Sequence, residues 1–136
     1  MDELYQTQLL ELARDARKAS PLFSATHEAS VNNPTCGDKI TLSLMIDKNV
    51  ITDVSVSVEG CALCEAGAGF LLNHATGKSL TEIMAIGDAL EAFLQTENEA
   101  QKKGPFSTFS PIRAVKNRHK CVLLAFQASS SLQPLS

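Results

Sequence analysis

The sequence predicts a single α+β domain in which a small antiparallel sheet packs against several α-helices. Two runs of alternating apolar residues, 40–46 and 54–58, are typical of strands covered on one face. Apolar residues at helical spacing precede and follow this pair of runs. The 136 residues contain no repeat and no linker long enough to divide them, so residues 1–136 are expected to form one domain.

The N-terminal part of the chain predicts a helix, a loop and an edge strand. Leu4, Leu9 and Leu12 recur at helical spacing, and the helix should end before Pro21. Residues 21–38 are rich in Ser, Asn, Pro and Gly and indicate a loop, with a short edge strand around residues 29–32.

The two alternating runs predict an antiparallel hairpin with its turn at residues 47–49. Ile40, Leu42 and Leu44 would lie on the covered face of the first strand, and Val54 and Val56 on that of the second. With the edge strand, the sheet should have about three strands.

The second half of the chain predicts helices. One begins near residue 62, carries the small residues 66–69 that permit close backbone packing, and ends at Gly77. Ser79 to Glu82 forms a capping box, and a second start after Gly87 predicts that this region divides into two helices. Ser110 and Pro111 are typical of a helix start, which predicts a last helix over the apolar run 121–126, while residues 129–136 are expected to fray.

Composition excludes some classes of function. The net charge is −3 and Trp is absent, which argues against nucleic-acid binding. An acidic start and the lack of a long apolar run predict a cytoplasmic protein that does not enter membranes. In a reducing compartment, four cysteines indicate core packing, metal ligation or thiol chemistry rather than disulfides.

Three of the four cysteines lie where predicted elements begin or end. Cys36 precedes the first long strand, Cys61 follows the second, and Cys121 lies near the start of the last helix. Antiparallel pairing would bring Cys36, Asp38 and Cys61 to one end of the sheet, where Cys121 could complete the site. Three thiolates and a carboxylate suit zinc or iron, although any one of these cysteines alone is more often a buried core residue.

Four segments together carry a resemblance to a known family: "NNPTCGDKITLSL", "VSVEGCALCEAGAGFLL", "GKSLTE" and "RHKCVLLAF". They resemble the U-type iron-sulfur cluster assembly scaffolds (IscU, SufU and the NifU N-terminal domain) over most of the chain after residue 30. The resemblance implies a SufE/NifU-like fold and a metal or cluster site formed by Cys36, Asp38, Cys61 and Cys121. Lys120 instead of His before the last cysteine, a longer segment between Gly77 and Cys121, and the absence of an "LPPVK" segment point toward the SufU branch.

The resemblance also implies a function. The chain would receive sulfur from a pyridoxal-phosphate-dependent cysteine desulfurase, with Cys36 or Cys121 as the persulfide acceptor. It would assemble a transient 2Fe-2S cluster and pass it to apo iron-sulfur proteins or carrier proteins, which makes it a scaffold more than an enzyme. The alternative is a zinc-dependent sulfurtransferase that relays persulfide sulfur. Asp38, a harder ligand than a thiolate, would keep the cluster releasable.

Cys64 forms a "CALC" motif with Cys61 at a predicted helix start. Such a pair could be a redox dithiol, and an oxidoreductase is a more distant alternative function, as is a structural zinc domain. Cys64 itself could be an alternate ligand, a resolving thiol or a core residue, of which a core residue is favoured. His119 is predicted to be solvated, and Lys120 is a weak candidate for stabilising a neighbouring thiolate, within a basic run that could dock a desulfurase.

Overall fold

The computed structural model describes residues 3–22, 24–33, 37–96 and 104–134. The elements, in chain order, are helix α1 (Glu3–Arg17), strands β1 (His27–Asn33), β2 (Asp38–Asp47) and β3 (Val50–Glu59), helices α2 (Ala62–Ala75) and α3 (Leu80–Gln95), two 3-10 helices (Ser107–Ala114 and Lys116–Arg118), helix α4 (His119–Ser129) and strand β4 (Gln133–Pro134). The four described strands form one antiparallel sheet in the order β3-β2-β1-β4, with helices packed against it, which confirms the α+β class.

The predicted hairpin is confirmed, with a tighter turn than expected. Strand β2 pairs with β3 so that Leu42 lies opposite Val56. Lys48 and Asn49 alone connect the strands, and both have positive φ angles, 51° and 69°. Two consecutive residues in this left-handed region are typical of the two-residue turns whose twist matches that of the flanking strands.

At the β1 edge of the sheet, the strand is longer than the sequence predicted and a further strand pairs beside it. Strand β1 contains the expected edge strand and pairs along its whole length with β2, from His27 opposite Leu44 to Asn33 opposite Asp38. The tail, expected to fray, contains strand β4, in which Gln133 pairs with Glu28. The sheet is therefore four strands wide at this point.

Helix α2 lies deep in the domain, as its small residues predicted. A Cβ atom on Gly67 would overlap the backbone of Val122 in α4, and one on Gly69 would overlap the backbone of Leu12 in α1. Both neighbouring helices thus approach the backbone of α2 more closely than a side chain would allow. These contacts explain why residues of poor helix propensity occur in the middle of a helix.

The prediction of two helices divided near Gly87 is wrong. Helix α3 is continuous, and its start at Ser79 has the predicted capping box, with the Glu82 N–H donating to Ser79 Oγ at 3.2 Å and the Ser79 N–H donating to Glu82 Oε1 at 3.1 Å. Gly87 is buried inside the helix, where an added Cβ would lie 2.9 Å from Cβ of Phe126. The glycine allows α4 to pack closely and does not mark a break.

The predicted start of the last helix at Ser110 is also wrong. Pro111 lies inside the first 3-10 helix, whose Phe109 and Ile112 are both buried, and the chain turns away at Val115 (φ −107°, ψ 74°). Residues three apart share a face of a 3-10 helix, so this conformation buries both apolar side chains together. Helix α4 begins only at His119, which still leaves Cys121 near a helix start.

Within the described ranges, no helix is both long and apolar enough to cross a membrane.

Candidate metal centre

Four side chains from three separate parts of the chain meet at the end of the hairpin opposite the Lys48–Asn49 turn. Asp38 is the first residue of β2, Cys61 is the N-cap of α2, Cys64 lies in the first turn of that helix, and Cys121 is the third residue of α4. Pairing of Lys39 with Glu59 brings the start of β2 beside the end of β3, where the chain enters α2. The strand register thus sets Asp38 beside Cys61.

The carboxylate of Asp38 is buried and accepts a hydrogen bond from the backbone. Its residue is only 4% exposed, and the backbone N–H of Cys61 donates a hydrogen bond to Oδ1 at 3.2 Å. Gly60 leaves room for the carboxylate, because a Cβ atom at Gly60 would overlap it. One carboxylate oxygen is thereby tied to the backbone and the other, Oδ2, is directed toward the thiols.

All three described thiols lie near that second oxygen. The distance to Asp38 Oδ2 is 2.9 Å from the Sγ atom of Cys64, 3.5 Å from that of Cys121 and 3.9 Å from that of Cys61. The Sγ atoms of Cys61 and Cys64 are 3.8 Å apart, and none of the three cysteines is in a disulfide. The four ligand atoms all lie within 4.8 Å of one another.

These separations fit a single tetrahedral ion. With zinc bonds of about 2.3 Å to sulfur and about 2.0 Å to oxygen, a tetrahedral site places two sulfurs about 3.8 Å apart and a sulfur about 3.5 Å from the oxygen. The observed distances scatter around those values. Three sulfur donors and one carboxylate also suit zinc or iron chemically, so Asp38 and the three cysteines are positioned to bind a metal.

The electrostatics of the site keep Cys64 protonated when no cation is present. Burial raises the pKa of the Cys64 thiol, and its hydrogen bond to Asp38 and the nearby sulfurs of Cys61 and Cys121 raise that pKa further. In that state the neutral S–H donates to the carboxylate. A bound cation would reverse this preference, because its charge stabilises the thiolate and binding releases the proton.

The structure brings together three of the four residues that the sequence singled out, namely Asp38, Cys61 and Cys121. The fourth, Cys36, lies outside the described residues, so its place in the site stays a prediction. The roles of all four as ligands or sulfur acceptors stay predictions too.

Cys64 was expected to be a core residue, and it is fully buried. Its sulfur is nevertheless the one nearest to the carboxylate of Asp38. The signal that could have placed it in the site was its spacing from Cys61: residues three apart on a helix share a face, so the start of α2 presents two thiols together.

His119, predicted to be solvated and not a ligand, is partly buried and is not among the four clustered ligand residues. Its Nε2 atom lies 3.0 Å from the carbonyl oxygen of Ile112 and 3.2 Å from that of Arg113, so the imidazole links the start of α4 to the preceding 3-10 helix. This contact helps to fix the position from which Cys121 reaches the site. Lys120, in contrast, is exposed, and its role stays a prediction.

Comparison with known proteins places the chain in a family. The family model described as "NifU-like N terminal domain" matches residues 4–111. The chain is 34% identical over 100 residues to the iron-sulfur cluster assembly scaffold protein IscU of Streptococcus pyogenes, a match that covers 72% of this chain and 63% of that relative. It is 23% identical over 130 residues to the zinc-dependent sulfurtransferase SufU of Bacillus subtilis, covering 94% of this chain and 88% of that protein.

A solved structure has the same fold. The NifU-like N-terminal protein of Brucella abortus superposes with a TM-score of 0.79 at 28% identity, covering 96% of this chain and 92% of that chain. Since the relatives include proteins named IscU and SufU, and identity is higher to the streptococcal IscU, the closer likeness to the SufU branch stays a prediction.

Proposed function

Since the chain belongs to the NifU-like N-terminal domain family, we propose that it acts as an iron-sulfur cluster assembly scaffold. The observation that carries the proposal is the buried carboxylate of Asp38, whose Oδ2 atom faces three thiols within 3.9 Å. Such a constellation has the donor atoms that iron and sulfur chemistry requires. It is also supported by relatives named as assembly scaffolds.

In this function the protein takes sulfur from a cysteine desulfurase that uses pyridoxal phosphate. Cys36 and Cys121 are the candidate persulfide acceptors, and the family resemblance assigns the cluster to Cys36, Asp38, Cys61 and Cys121. The cluster is cargo: it is assembled as a 2Fe-2S unit and passed to apo iron-sulfur proteins or carriers. We infer a cytoplasmic location from the sequence, and the net charge of −3 does not favour a nucleic-acid partner.

Asp38 is the residue that would keep the cargo releasable. A carboxylate is a harder donor than a thiolate and holds a soft iron-sulfur unit less firmly. In this chain the same carboxylate accepts a hydrogen bond from the Cys61 backbone, so it can leave a metal without losing its place in the fold.

The second candidate is a zinc-dependent sulfurtransferase, and the size of the site favours it. Its four ligand atoms lie within 4.8 Å of one another, which fits one tetrahedral ion. A two-iron cluster divides its ligands between two metal atoms and therefore spreads them further apart. One relative of the chain, SufU of Bacillus subtilis, is named as a zinc-dependent sulfurtransferase. Here the protein would be an enzyme that relays persulfide sulfur with zinc as a resident ion held by the thiols and Asp38.

One measurement separates the two candidates. The protein and its Asp38→Ala variant are purified without oxygen, and zinc, iron and acid-labile sulfide are measured before and after incubation with iron, cysteine and a desulfurase. Iron and sulfide in equal amounts, retained longer by the variant, are expected for a scaffold. Stoichiometric zinc with no sulfide after incubation would overturn the scaffold proposal and leave the sulfurtransferase.

A further inference from the structure

Cys64 has no role in the site that the family resemblance implies, yet its sulfur is one of the four described ligand atoms that lie within 4.8 Å of one another. We propose that Cys64 is a metal ligand, and that Asp38, Cys61, Cys64 and Cys121 form a complete tetrahedral site without Cys36. This inference rests on the metal-binding part of the proposed function and changes which residues carry it.

The start of α2 holds two thiols at the spacing that one ion requires. Cys61 and Cys64 open α2 with a spacing of three residues, and their sulfurs are 3.8 Å apart, the separation that one tetrahedral ion imposes on two thiolates. Two cysteines separated by two residues are also a common chelating pair in zinc sites. No change of backbone is needed for both sulfurs to reach the same ion.

The carboxylate of Asp38 is closer to Cys64 than to the other two described thiols. The Sγ atom of Cys64 lies 2.9 Å from Asp38 Oδ2, closer than that of Cys121 at 3.5 Å or Cys61 at 3.9 Å. The sulfur of Cys64 lies within 4.8 Å of Oδ2 and of the sulfurs of Cys61 and Cys121, so an ion on that side of the three atoms would also contact Cys64. Leaving that thiol out of the coordination would require it to turn away from atoms it already touches.

The three described thiols differ in burial. Cys64 is 0% and Cys121 1% exposed, so the two thiols approach the site from the interior, while Cys61 is partly exposed. A ligand from the interior closes the coordination sphere against water. With four ligand atoms supplied in this way, the thiol of Cys36 is not required to hold the ion and is left to accept sulfur.

A redox pair is the competing interpretation of Cys61 and Cys64. The same 3.8 Å separation would let the two thiols form a disulfide after an oxidant removes two electrons. That reaction does not use Asp38, whereas the described site has the carboxylate in contact with every one of the three thiols. The carboxylate therefore favours a ligand role.

Cobalt substitution tests the proposal, because thiolate-to-Co²⁺ charge-transfer absorption grows with the number of bound thiolates. The wild type, Cys36→Ser and Cys64→Ser are compared, with Cys64→Ala as a second variant and circular dichroism of the metal-free forms as the folding control. Cys36→Ser should keep the wild-type spectrum. Cys64→Ser should lose about one third of the band, as expected when three thiolates become two, and bind zinc at least ~100-fold more weakly, since even loss of an outer-shell partner costs about 10–100-fold.

Selective alkylation of the zinc-loaded wild type adds a test that needs no substitution at Cys64. Iodoacetamide should modify Cys36 while the protein keeps its zinc, and peptide mass spectrometry should find Cys61, Cys64 and Cys121 unmodified. If instead Cys36 is protected by zinc, or Cys36→Ser loses the third of the charge-transfer band, the inference is overturned and the site implied by the family stands. An equal loss in both variants also overturns it, because Cys36 would then be needed as well. A wild type that binds neither zinc, cobalt nor iron would overturn the proposed function with it.

Discussion

The two ends of the β2–β3 hairpin are built in different ways. At one end Lys48 and Asn49 form an exposed two-residue turn whose shape depends on their own backbone conformation. At the other end, a buried carboxylate from β2 meets thiols from α2 and α4, and the backbone N–H of Cys61 holds it in place. The first end depends on neighbours in sequence and the second on residues up to 83 positions apart. One strand pair can thus have a simple connecting turn at one end and a cluster of candidate metal ligands at the other.

Metal removal should give the largest difference between the two ends, seen as a change in amide hydrogen exchange at one end only. At a free metal concentration about 100 times Kd, binding adds about 2.7 kcal/mol to the free energy of unfolding. Chelation should remove that increment and increase amide hydrogen exchange at Cys61, with exchange near Asn49 unchanged. Thermal unfolding and hydrogen-exchange mass spectrometry, each with and without zinc, measure the two effects. An equal change at the turn would mean that the ends are not independent.

Gly60→Ala should disrupt the end of the hairpin that carries Asp38 and leave the Lys48–Asn49 turn unchanged. The added methyl group would overlap the carboxylate of Asp38, and overpacking of this kind costs about 1–3 kcal/mol in the metal-free protein. Since Asp38 must move, zinc affinity should fall as well, which competition with a chelator dye measures. Gly77→Ala is a useful contrast: Gly77 has open space around its Cα but a φ of 89°, so that variant should lose stability through backbone strain and keep its zinc affinity. Unchanged zinc binding in Gly60→Ala would contradict the close fit between Gly60 and Asp38.

The smallest effect is expected at the turn. Lys48→Asn combined with Asn49→Gly installs the pair preferred where both residues have positive φ. Because the strain of one left-handed non-glycine residue is of the order of 1 kcal/mol, the gain in the free energy of unfolding should be at most about 1 kcal/mol. Urea unfolding of the metal-free protein measures it. Zinc affinity should not change, and a change would show that the turn affects the site across the sheet.

Sequence patterns correctly predicted the elements that depend on contacts within a few residues. Alternation of Ile40, Leu42 and Leu44 indicated β2, and the capping box from Ser79 to Glu82 indicated the start of α3, because both features arise from contacts within a few residues. Antiparallel pairing was enough to set Asp38 beside Cys61. These parts of the fold and of the site were accessible from sequence.

Errors occurred where tertiary packing determines the outcome. Gly87 was interpreted as a helix break because glycine has low helix propensity, yet it makes room for Phe126, 39 positions further along the chain. Pro111 was interpreted as a helix start, but burial of Phe109 and Ile112 stabilises a 3-10 helix there. Cys64 was assigned to the core, which its burial confirms, but the carboxylate that it borders there was not anticipated. In the two errors, at Gly87 and Pro111, the deciding contact is distant in the chain, since Gly87 meets Phe126 and Phe109 packs against Phe70.

The uneven burial of the thiols has a kinetic consequence. Of the three described cysteines, Cys61 alone is partly open to solvent, and its sulfur is also the one furthest from Asp38 Oδ2. An incoming thiol from a recipient protein would meet a bound ion first at the Cys61 bond, and would reach the bonds on the interior side last. Exchange of these thiolates should therefore follow a fixed order, with Cys61 as the first of the three to leave. Metal handover to another thiol would then begin at one exposed sulfur, and the buried sulfurs would be the last of the three to release the ion.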